Sequence, residues 1–392
     1  MDRRDALAGA ERLGQLEGVM KISQRLLSCV AVAAGLGILM SIAALGGAST
    51  SVAQQRPLKK VDIVVATPVL NVTYSQLTLP ITLGYWRDEG YEVDLHTAEG
   101  SLQAVQQLVG GNAGFAAASA NAIVLANIKS NQPVRVAMAF QTSDFALVVE
   151  ESSPIKTVKD LKGATIGVVN LATGAIVSLN GLLHQNGMDP ARDVQYVATG
   201  FGATAVQALK SGRVQGLIYW GTAIAGFENA GLKLRRIVGE DWNTYPEYAL
   251  GVMRDTAEKD PAMAVGIARG AIKGMIFTRA NPECAVKLHW AKYPSTKPAG
   301  IDDATALRFE LNLLAAQRQA WDNGRKLFGG DKLWGNFDAA SWDRLVRCMA
   351  ESKQIDKIMP ADALALKAVD HYQKINDIDV SAIEAGAKAC KS

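Results

Sequence analysis

Apolar residues before position 260 follow two alternating spacings, one typical of strands and the other of helices. In the segment KKVDIVVAT, Val61, Ile63 and Val65 occupy every second position, which predicts a strand. The apolar residues of 102–109 instead recur with helical spacing, and a glycine pair directly after them predicts the end of that helix. This part of the chain is therefore predicted to alternate strand and helix.

The alternation continues through two successive series. Strands are predicted at 61–65, 91–95, 114–118, 134–140, 166–169, 194–198, 214–220 and 232–238. Helices are predicted at 75–84, 102–109, 121–128, 174–184, 203–209 and 224–230. Strands that alternate with helices favour parallel sheets with right-handed crossovers, so the predicted fold class is α/β.

From Pro261 onward the pattern is helical only. Helices are predicted at 263–279, 282–292, 304–323 and 339–352, with a last turn or two near 361–368. Such a tail has no sheet of its own, and we expect it to pack mostly on the first α/β series.

One unit of helix, turn, strand and loop occurs in each series. The segment Gly100–Ala122 resembles Phe201–Ala223 at an offset of 101 positions, and this offset places Trp220 opposite Ser119. The match supports two similar lobes.

Extended runs near 143–150 and 246–253 predict two crossings between these lobes. Ligands of open parallel sheets bind beyond the carboxyl ends of the strands, and two facing lobes bring those ends into one cleft. We therefore expect residues 54–147 to start lobe 1, residues 148–248 to form lobe 2, and residues 249–392 to return to lobe 1 as one strand and the helical tail.

The first 53 residues have the pattern of an export signal. Lys21 and Arg25 precede a long uncharged apolar run, and Ser51-Val52-Ala53 resembles a cleavage site. We predict cleavage after Ala53 and a periplasmic mature protein, with an uncleaved membrane anchor as the alternative. Met20 is an alternative start of translation.

The mature chain has 36 basic and 34 acidic residues and no long charge run, which argues against binding to nucleic acid. It keeps three cysteines, Cys284, Cys348 and Cys390. Export permits a disulfide, and a bond between Cys348 and Cys390 could hold the C-terminal tail. Sequence does not fix the pairing, and three free thiols are the alternative.

Several stretches together resemble the periplasmic solute-binding proteins of ABC importers, in the branch of sulfonate, nitrate, taurine and NMT1/THI5-like thiamine-precursor binders. They are LPITLGYWRDEGYEVDL, EGSLQAVQQLVGGNAGFAAAS, VKDLKGATIGV, AVQALKSGRVQGLIYW and FTRANPECAVKLHWAKYP. The family often has aspartate where this chain has Gly114 and Gln215. The resemblance implies a two-lobed type II periplasmic-binding-protein fold, a small solute between the lobes, and a membrane permease as partner. We expect a monomer.

Small residues at strand ends are the first candidates for ligand contact. The segment GGNAGFAAASANA leaves backbone N–H groups bare before a predicted helix, and Ser119 and Asn121 add a hydroxyl and an amide. Both residue types are also common helix caps. Trp220 is predicted to stack on a planar ligand, with packing in the core as the alternative. The other predicted ligand contacts lie on equivalent loops: Thr67, Asn71, Tyr74, Ser101, Gln141, Thr173, Phe201, Tyr219 and Thr222.

None of these candidates is arginine or lysine, which favours a small organic ligand, such as a sulfonate, a carboxylate or a pyrimidine-like molecule, over an inorganic polyanion. The four histidines lack metal-ligand spacing, and we find no nucleophile or phosphate-binding motif. We therefore expect no metal, no cofactor and no catalysis. A membrane-tethered sensor is one alternative. A thiamine-pyrimidine synthase is a weaker one, since the mature chain lacks the cysteine-rich motif of those enzymes.

Overall fold

The computed structural model describes residues 57–368 and 370–390. The strands, in chain order, are β1 (Lys59–Val65), β2 (Tyr91–Thr97), β3 (Phe115–Ser119), β4 (Val134–Thr142), β5 (Ala146–Glu150), β6 (Ala164–Val168), β7 (Val194–Ala198), β8 (Gly216–Tyr219), β9 (Leu234–Ile237) and β10 (Pro246–Met253). Every predicted strand before residue 260 overlaps one of these.

The helices up to β10 are α1 (Ser75–Thr82), α2 (Tyr85–Asp88), α3 (Ser101–Val109), α4 (Ala120–Lys129), α5 (Gly174–Gln185), α6 (Pro190–Asp193), α7 (Ala203–Lys210) and α8 (Gly221–Asn229). The helices after β10 are α9 (Arg254–Lys259), α10 (Pro261–Ala280), α11 (Pro282–Lys292), α12 (Asp303–Gly329), α13 (Ala339–Glu351), α14 (His371–Lys374) and α15 (Val380–Ala389).

The described residues form two five-stranded sheets, with strand orders β2-β1-β3-β10-β4 and β7-β6-β8-β5-β9. We call the first sheet with its helices lobe 1 and the second sheet with its helices lobe 2. The α/β class is confirmed, and the sheets are mixed, with mostly parallel strands as the alternation predicted. Each sheet contains one reversed strand, because β10 pairs antiparallel with β3 and β4, and β5 pairs antiparallel with β8 and β9.

The reversed strands are the ones that the chain enters as it changes lobe. It leaves β4 at Thr142 and begins β5 at Ala146, and it leaves β9 at Ile237 and begins β10 at Pro246. A strand that enters directly from the far lobe has no crossover helix to turn it back, so it runs opposite to its neighbours. This reversal places the start of each entering strand beside the ends of the parallel strands.

The apolar alternation of β1 matches burial on both faces of the first sheet. Ile63 and Val65 pack in the cluster beneath helices α1 and α10, whereas Val64 packs in the cluster on the opposite face. Phe115 and Ala116 of β3 divide between the same two clusters. A strand covered on both faces needs apolar residues at nearly every position, which explains the continuous apolar runs.

The C-terminal helices confirm the helical tail, with one error at its end. The last turn or two predicted near 361–368 corresponds to a 3₁₀ turn at Ala361–Leu364, whereas the final helix, α15, was not predicted. Helix α15 packs against α10, and Asn281 Nδ2 donates to the carbonyl of Ala387 at 2.9 Å.

A disulfide holds the tail, but it is not the bond between Cys348 and Cys390 considered from the sequence. Cys390 bonds to Cys284 at the start of α11, with the two Cα atoms 5.6 Å apart, and Cys348 keeps a free thiol. Sequence could not rank these pairings because it does not show that the end of α15 meets the start of α11.

Among the described residues, no helix is long and apolar enough to cross a membrane. The predicted export signal lies outside the described residues.

Candidate functional site

A cleft opens between the two lobes at the carboxyl ends of their parallel strands. Its volume in this arrangement of the lobes is about 60 Å³. Most of its wall comes from lobe 1, through Tyr74, Gln76, Ser101, Ser119, Gln141, Glu247, Tyr248 and Gln317.

The reversal of β10 explains why three polar side chains meet in this wall. Ser119 is the last residue of β3, and Gln141 is the penultimate residue of β4. Because β10 runs the other way, its second residue, Glu247, lies beside both strand ends; the adjacent Tyr248 pairs with Ser119 and with Gln141. Chain direction thus brings a carboxyl group from the returning strand to the edge where β3 and β4 end in neutral side chains.

These residues form a continuous hydrogen-bond network. Ser119 Oγ donates to Glu247 Oε1 at 3.1 Å, and Gln141 Nε2 donates to Glu247 Oε2 at 3.0 Å. The oxygen of Ser101 accepts from the backbone N–H of Ser119 at 3.0 Å. Gln317 of α12 donates to Gln141 Oε1 at 2.6 Å. The network fixes both oxygens of Glu247 in the floor of the cleft.

Helix α12 reaches this network because it carries a glycine where it crosses β4. A Cβ atom built on Gly324 would lie 2.7 Å from the Cα of Gln141, too close for any side chain. The close approach lets Gln317, seven positions earlier and on the same face of the helix, point at Gln141. A residue of the helical tail therefore completes the lobe 1 wall.

The lobe 2 wall is smaller and less polar. It comprises Val169, Thr173 and Trp220, and Phe145 lies where the chain enters β5. The outer face of Trp220 is covered by Phe201, with ring centroids 5.9 Å apart and planes 12° apart. This stack holds the indole in one orientation at the cleft. Ser119 and Trp220, which the internal repeat aligns, line the same cleft from opposite lobes.

The lobes touch at the side of the cleft. Asn121 Nδ2 in lobe 1 donates to the carbonyl of Gly174 in lobe 2 at 3.0 Å, and Asn170 of lobe 2 donates to the carbonyl of Glu99 in lobe 1. A Cβ atom on Gly174 would lie 2.7 Å from Ser119 Oγ. Glycine at the start of α5 is what permits this approach.

The buried carboxyl groups of Asp144 and Glu247 differ in protonation at neutral pH. Asp144 accepts from the backbone N–H of Gly221 at 3.0 Å, at the positive end of helix α8. Burial raises the pKa of Asp144 to about 6 although this N–H lowers it. Burial and then the charge of Asp144 raise the pKa of Glu247 to about 8, against the lowering effect of the Ser119 and Gln141 hydrogen bonds. At neutral pH the charge therefore lies mainly on Asp144 and the proton on Glu247.

The lining of the cleft offers hydrogen-bond acceptors and no basic side chain. No arginine, lysine or histidine belongs to its lining, which contains two carboxyl groups, Glu99 and Glu247. Gln76 is 2% exposed, and its Oε1 atom has no hydrogen-bond partner among the described residues. A buried acceptor without a partner is costly unless a ligand or water supplies a donor.

Six of the twelve residues predicted to contact a ligand line the cleft: Tyr74, Ser101, Ser119, Gln141, Thr173 and Trp220. The other six are outside its lining. Thr67 and Asn71 make local bonds in the loop after β1, where Asn71 Oδ1 accepts from the Thr73 backbone at 3.1 Å. Tyr219 is a core residue with no exposed surface, and Thr222 is buried in α8. Phe201 acts through Trp220, and Asn121 lies at the contact between the lobes.

Glu247 is the residue of the site that sequence reasoning missed. The extended run near 246–253 was interpreted only as a crossing between the lobes, although its second residue, Glu247, is acidic. A single carboxylate at the start of an apolar strand can indicate a functional site, because acidic residues are rarely buried unless they have a partner. Gln76 and Gln317 offered no comparable signal, since each lies in an ordinary helical pattern.

Within residues 57–368 and 370–390, no three histidine, cysteine or acidic side chains are grouped as a metal site would need.

The chain is similar to known proteins both in sequence and in fold. Residues 71–285, more than half of the chain, match the sequence profile described as NMT1/THI5 like. The riboflavin-binding protein RibY of Chloroflexus aurantiacus is 25% identical over 222 residues, which are 56% of this chain. The match spans 62% of the length of RibY, less than two thirds of that relative.

Two solved structures share the fold at low sequence identity. A protein from Bordetella bronchiseptica RB50 superimposes with a TM-score of 0.62 at 19% identity, over 81% of this chain and 97% of that one. The alkanesulfonate-binding protein SsuA from Xanthomonas axonopodis pv. citri gives a TM-score of 0.59 at 14% identity, over 79% of this chain and 98% of that one. The chain has the two-lobed fold of periplasmic binding proteins, and by its sequence it belongs to the NMT1/THI5-like family.

Proposed function

We propose that this protein is the solute-binding receptor of an ABC importer, which captures a small organic molecule between its lobes and presents it to a membrane permease. The observation that carries this proposal is the interlobe cleft itself, with polar groups of lobe 1 facing Trp220 of lobe 2. The family and the fold of binding proteins support the same function.

The chemistry of the cleft favours a solute that donates hydrogen bonds. Glu247 and Gln76 present oxygen atoms, and no basic side chain belongs to the lining. A sulfonate or carboxylate would bring its negative charge next to Glu99 and the nearby Asp144, and the lining holds no basic side chain to offset it, which is unfavourable. We infer an uncharged or cationic nitrogen compound, with N–H groups toward Glu247 and a planar or apolar part against Trp220. The similarity to a riboflavin-binding protein supports this class, because a flavin ring is planar and carries an N–H group.

The two lobes are expected to close on the solute because a bound solute contacts both of them at once. A solute held on the lobe 1 wall gains the Trp220 contact only when lobe 2 has moved onto it, so binding favours the closed arrangement. The two crossings at 143–145 and 238–245 are the segments about which such a rotation would occur.

Calorimetric titration with matched solutes tests the proposed class. Riboflavin, cytosine and benzylamine supply N–H donors, whereas methanesulfonate, benzoate and nitrate are anions without such a donor. We expect binding to at least one donor compound and none to the anions, with all compounds recovered unchanged. Binding confined to the anions would refute the solute class, and conversion of a bound compound by purified protein would refute the receptor function.

Export is part of the proposal. Mass spectrometry of the protein recovered from the periplasm should give a mature N-terminus at Gln54. A retained segment before Ala53, found in the membrane fraction, would instead indicate a tethered receptor.

A further inference from the structure

Helix α12 of the tail contacts both lobes and carries one buried polar side chain to the cleft. On lobe 2, Asn312 Nδ2 donates to Asn229 Oδ1 of helix α8 at 2.8 Å. On lobe 1, a Cβ atom on Gly324 would lie 2.7 Å from the Cα of Gln141. Gln317 lies along the helix between these two contacts, so its position is fixed from both sides.

The side-chain amide of Gln141 has hydrogen-bond partners at both of its ends. Its oxygen accepts from Gln317 Nε2 at 2.6 Å. Its NH2 group donates to Glu247 Oε2 at 3.0 Å and, over a longer distance of 3.5 Å, to Asp144 Oδ1. Gln141 is 5% exposed and Gln317 is 7% exposed, so solvent contributes little. The orientation of the Gln141 amide is therefore determined by protein groups.

This orientation decides which form of Glu247 the amide stabilises. An NH2 group stabilises an ionised carboxylate, whereas an amide oxygen accepts only from a protonated carboxyl group. Without Gln317, the oxygen of Gln141 would be a buried acceptor without a partner, which is costly. A half-turn of the amide would then supply that oxygen with the proton of Glu247 as its donor. The charge on Asp144 opposes the turn but leaves the oxygen unpaired.

We propose that Gln317 is a positioning residue of the solute site: by donating to Gln141, it holds the NH2 group of Gln141 on Glu247 and favours the ionised form of that carboxyl group. This role rests on the proposed function, in which Glu247 accepts a donor of the solute. The helical tail contributes the neutral Gln317 to the cleft lining. In this way the tail sets the fraction of the protein that is ready to bind, without adding a charge to the cleft.

The effect of Gln317 can be separated from that of the other groups around Glu247. Burial and then the charge of Asp144 raise the pKa of Glu247 to about 8. The other titratable groups that share a cavity wall with Glu247 are Glu99, Tyr74, Tyr245, Tyr248 and Cys348. All of them remain when Gln317 alone is replaced, so a change in the midpoint of the Glu247 titration reports on Gln317.

Titration of Glu247 in the protein without solute tests the proposal. The measurement is carbon NMR of protein labelled at the side-chain carboxyl carbon of glutamate, and the Glu247 signal is the one absent from Glu247→Gln. The wild type should titrate near pH 8. Gln317→Met keeps the length of the side chain and loses the donor, so it should raise the midpoint by about one pH unit.

Gln319→Met is the matched control. Gln319 lies on the same helix but is exposed, and its Nε2 atom donates to Asn323 Oδ1 at 3.0 Å. The midpoint of Glu247 in Gln319→Met should equal that of the wild type. A midpoint in Gln317→Met that is unchanged or lowered would overturn the proposal. If Gln317→Met does not fold, Gln317→Asn serves instead, because its amide is one methylene too short to reach Gln141.

A double variant decides whether Gln317 acts through Gln141. Gln141→Met removes the amide that Gln317 positions, so adding Gln317→Met to it should leave the midpoint of Glu247 where Gln141→Met alone puts it. A further rise of about one pH unit in the double variant would show that Gln317 acts on Glu247 by another route. That result would overturn the positioning role.

Affinity distinguishes failure of this proposal from failure of the proposed function. For whichever of riboflavin, cytosine and benzylamine binds the wild type, Gln317→Met should raise Kd about fivefold at pH 8 and hardly at all at pH 10, where Glu247 is ionised in both proteins. A raised midpoint without a change in Kd would uphold the role of Gln317 and contradict Glu247 as the acceptor for the solute. An unchanged midpoint with binding intact would overturn the role of Gln317 and leave the receptor function standing.

Discussion

The two walls of the cleft differ in kind as well as in size. Lobe 1 supplies a hydrogen-bonded set built around Glu247, whereas lobe 2 supplies Trp220, supported from behind by Phe201. The internal repeat places Ser119 and Trp220 at equivalent positions of similar units. Two copies of one supersecondary unit have thus diverged, one toward polar recognition and the other toward an apolar contact. The difference implies that lobe 1 selects the solute and lobe 2 encloses it.

Among the changes that test these roles of the two lobes, replacement of Glu247 should have the largest effect on solute affinity. Above pH 8, where Glu247 is ionised, Glu247→Gln removes the charge that accepts an N–H donor, which we expect to cost ~2–3 kcal/mol, or about 30-fold to 100-fold in Kd for a donor compound that binds. Glu310→Gln is the matched control, because Glu310 is also buried, with its pKa raised by burial to about 7, but lies outside the cleft lining. Calorimetry that gives equal losses for the two variants would contradict the role of Glu247.

The pH dependence of affinity should reveal the proton on Glu247. A donor or cation favours the ionised carboxylate, and the pKa of about 8 keeps this group mostly protonated at lower pH. Affinity should therefore rise with pH by about tenfold between pH 6.5 and 8 and level off above that. Titration of the wild type in this range is the measurement, with Glu247→Gln as control. A flat profile would show that the solute does not engage the carboxylate.

Trp220→Ala should have a smaller effect, since it removes one enclosing contact and leaves the polar wall intact. We expect a loss of about 1 kcal/mol, or about fivefold in Kd. Phe201→Ala should weaken binding less, because Phe201 is 39% exposed and acts by holding the indole. Circular dichroism of both variants checks folding. A loss for Trp220→Ala larger than that for Glu247→Gln would reverse the proposed roles of the lobes.

The smallest effect should be on the stability of the protein without solute. The unfolded chain releases the Glu247 proton near its ordinary pKa of 4.5, whereas the folded protein holds it to about 8. The raised pKa of the folded state therefore lowers stability progressively as pH rises through this range. Glu247→Gln removes the penalty, so its Tm should exceed that of the wild type by an amount that grows by a few degrees from pH 5 to pH 8.5. A constant difference across this range would refute the buried, protonated state.

Much of this architecture can be predicted from the sequence because alternation of strand and helix is a local property. The positions of β1 to β9 and the change of lobe near residues 143 and 246 follow from apolar spacing and turn residues. Strand direction does not, because the reversal of β5 and β10 depends on where the chain enters each sheet. The pairing of Cys284 with Cys390 likewise depends on the position of helix α15, which the sequence pattern did not predict.

Prediction of the site residues from sequence is limited in the same way. Ser119 and Gln141 were identifiable because they end strands, and strand ends of parallel sheets form clefts. Glu247 lies at the start of a strand, whereas the search for site residues considered strand ends. It could be assigned to the cleft only once β10 was known to run antiparallel to β3 and β4. Gln317 comes from a helix of the tail, more than 170 residues from the partner Gln141 that it bonds, and only tertiary packing brings the two together.

Identification of the natural solute is the most direct test of the acceptor character of the lobe 1 wall. The protein would be purified rapidly from the periplasm, denatured by heat, and the released small molecules identified by mass spectrometry, with Glu247→Gln processed in parallel. We expect a nitrogen compound that carries N–H donors and no net negative charge, retained by the wild type and depleted in the variant. A sulfonate, carboxylate or other anion released equally from both proteins would contradict the central claim.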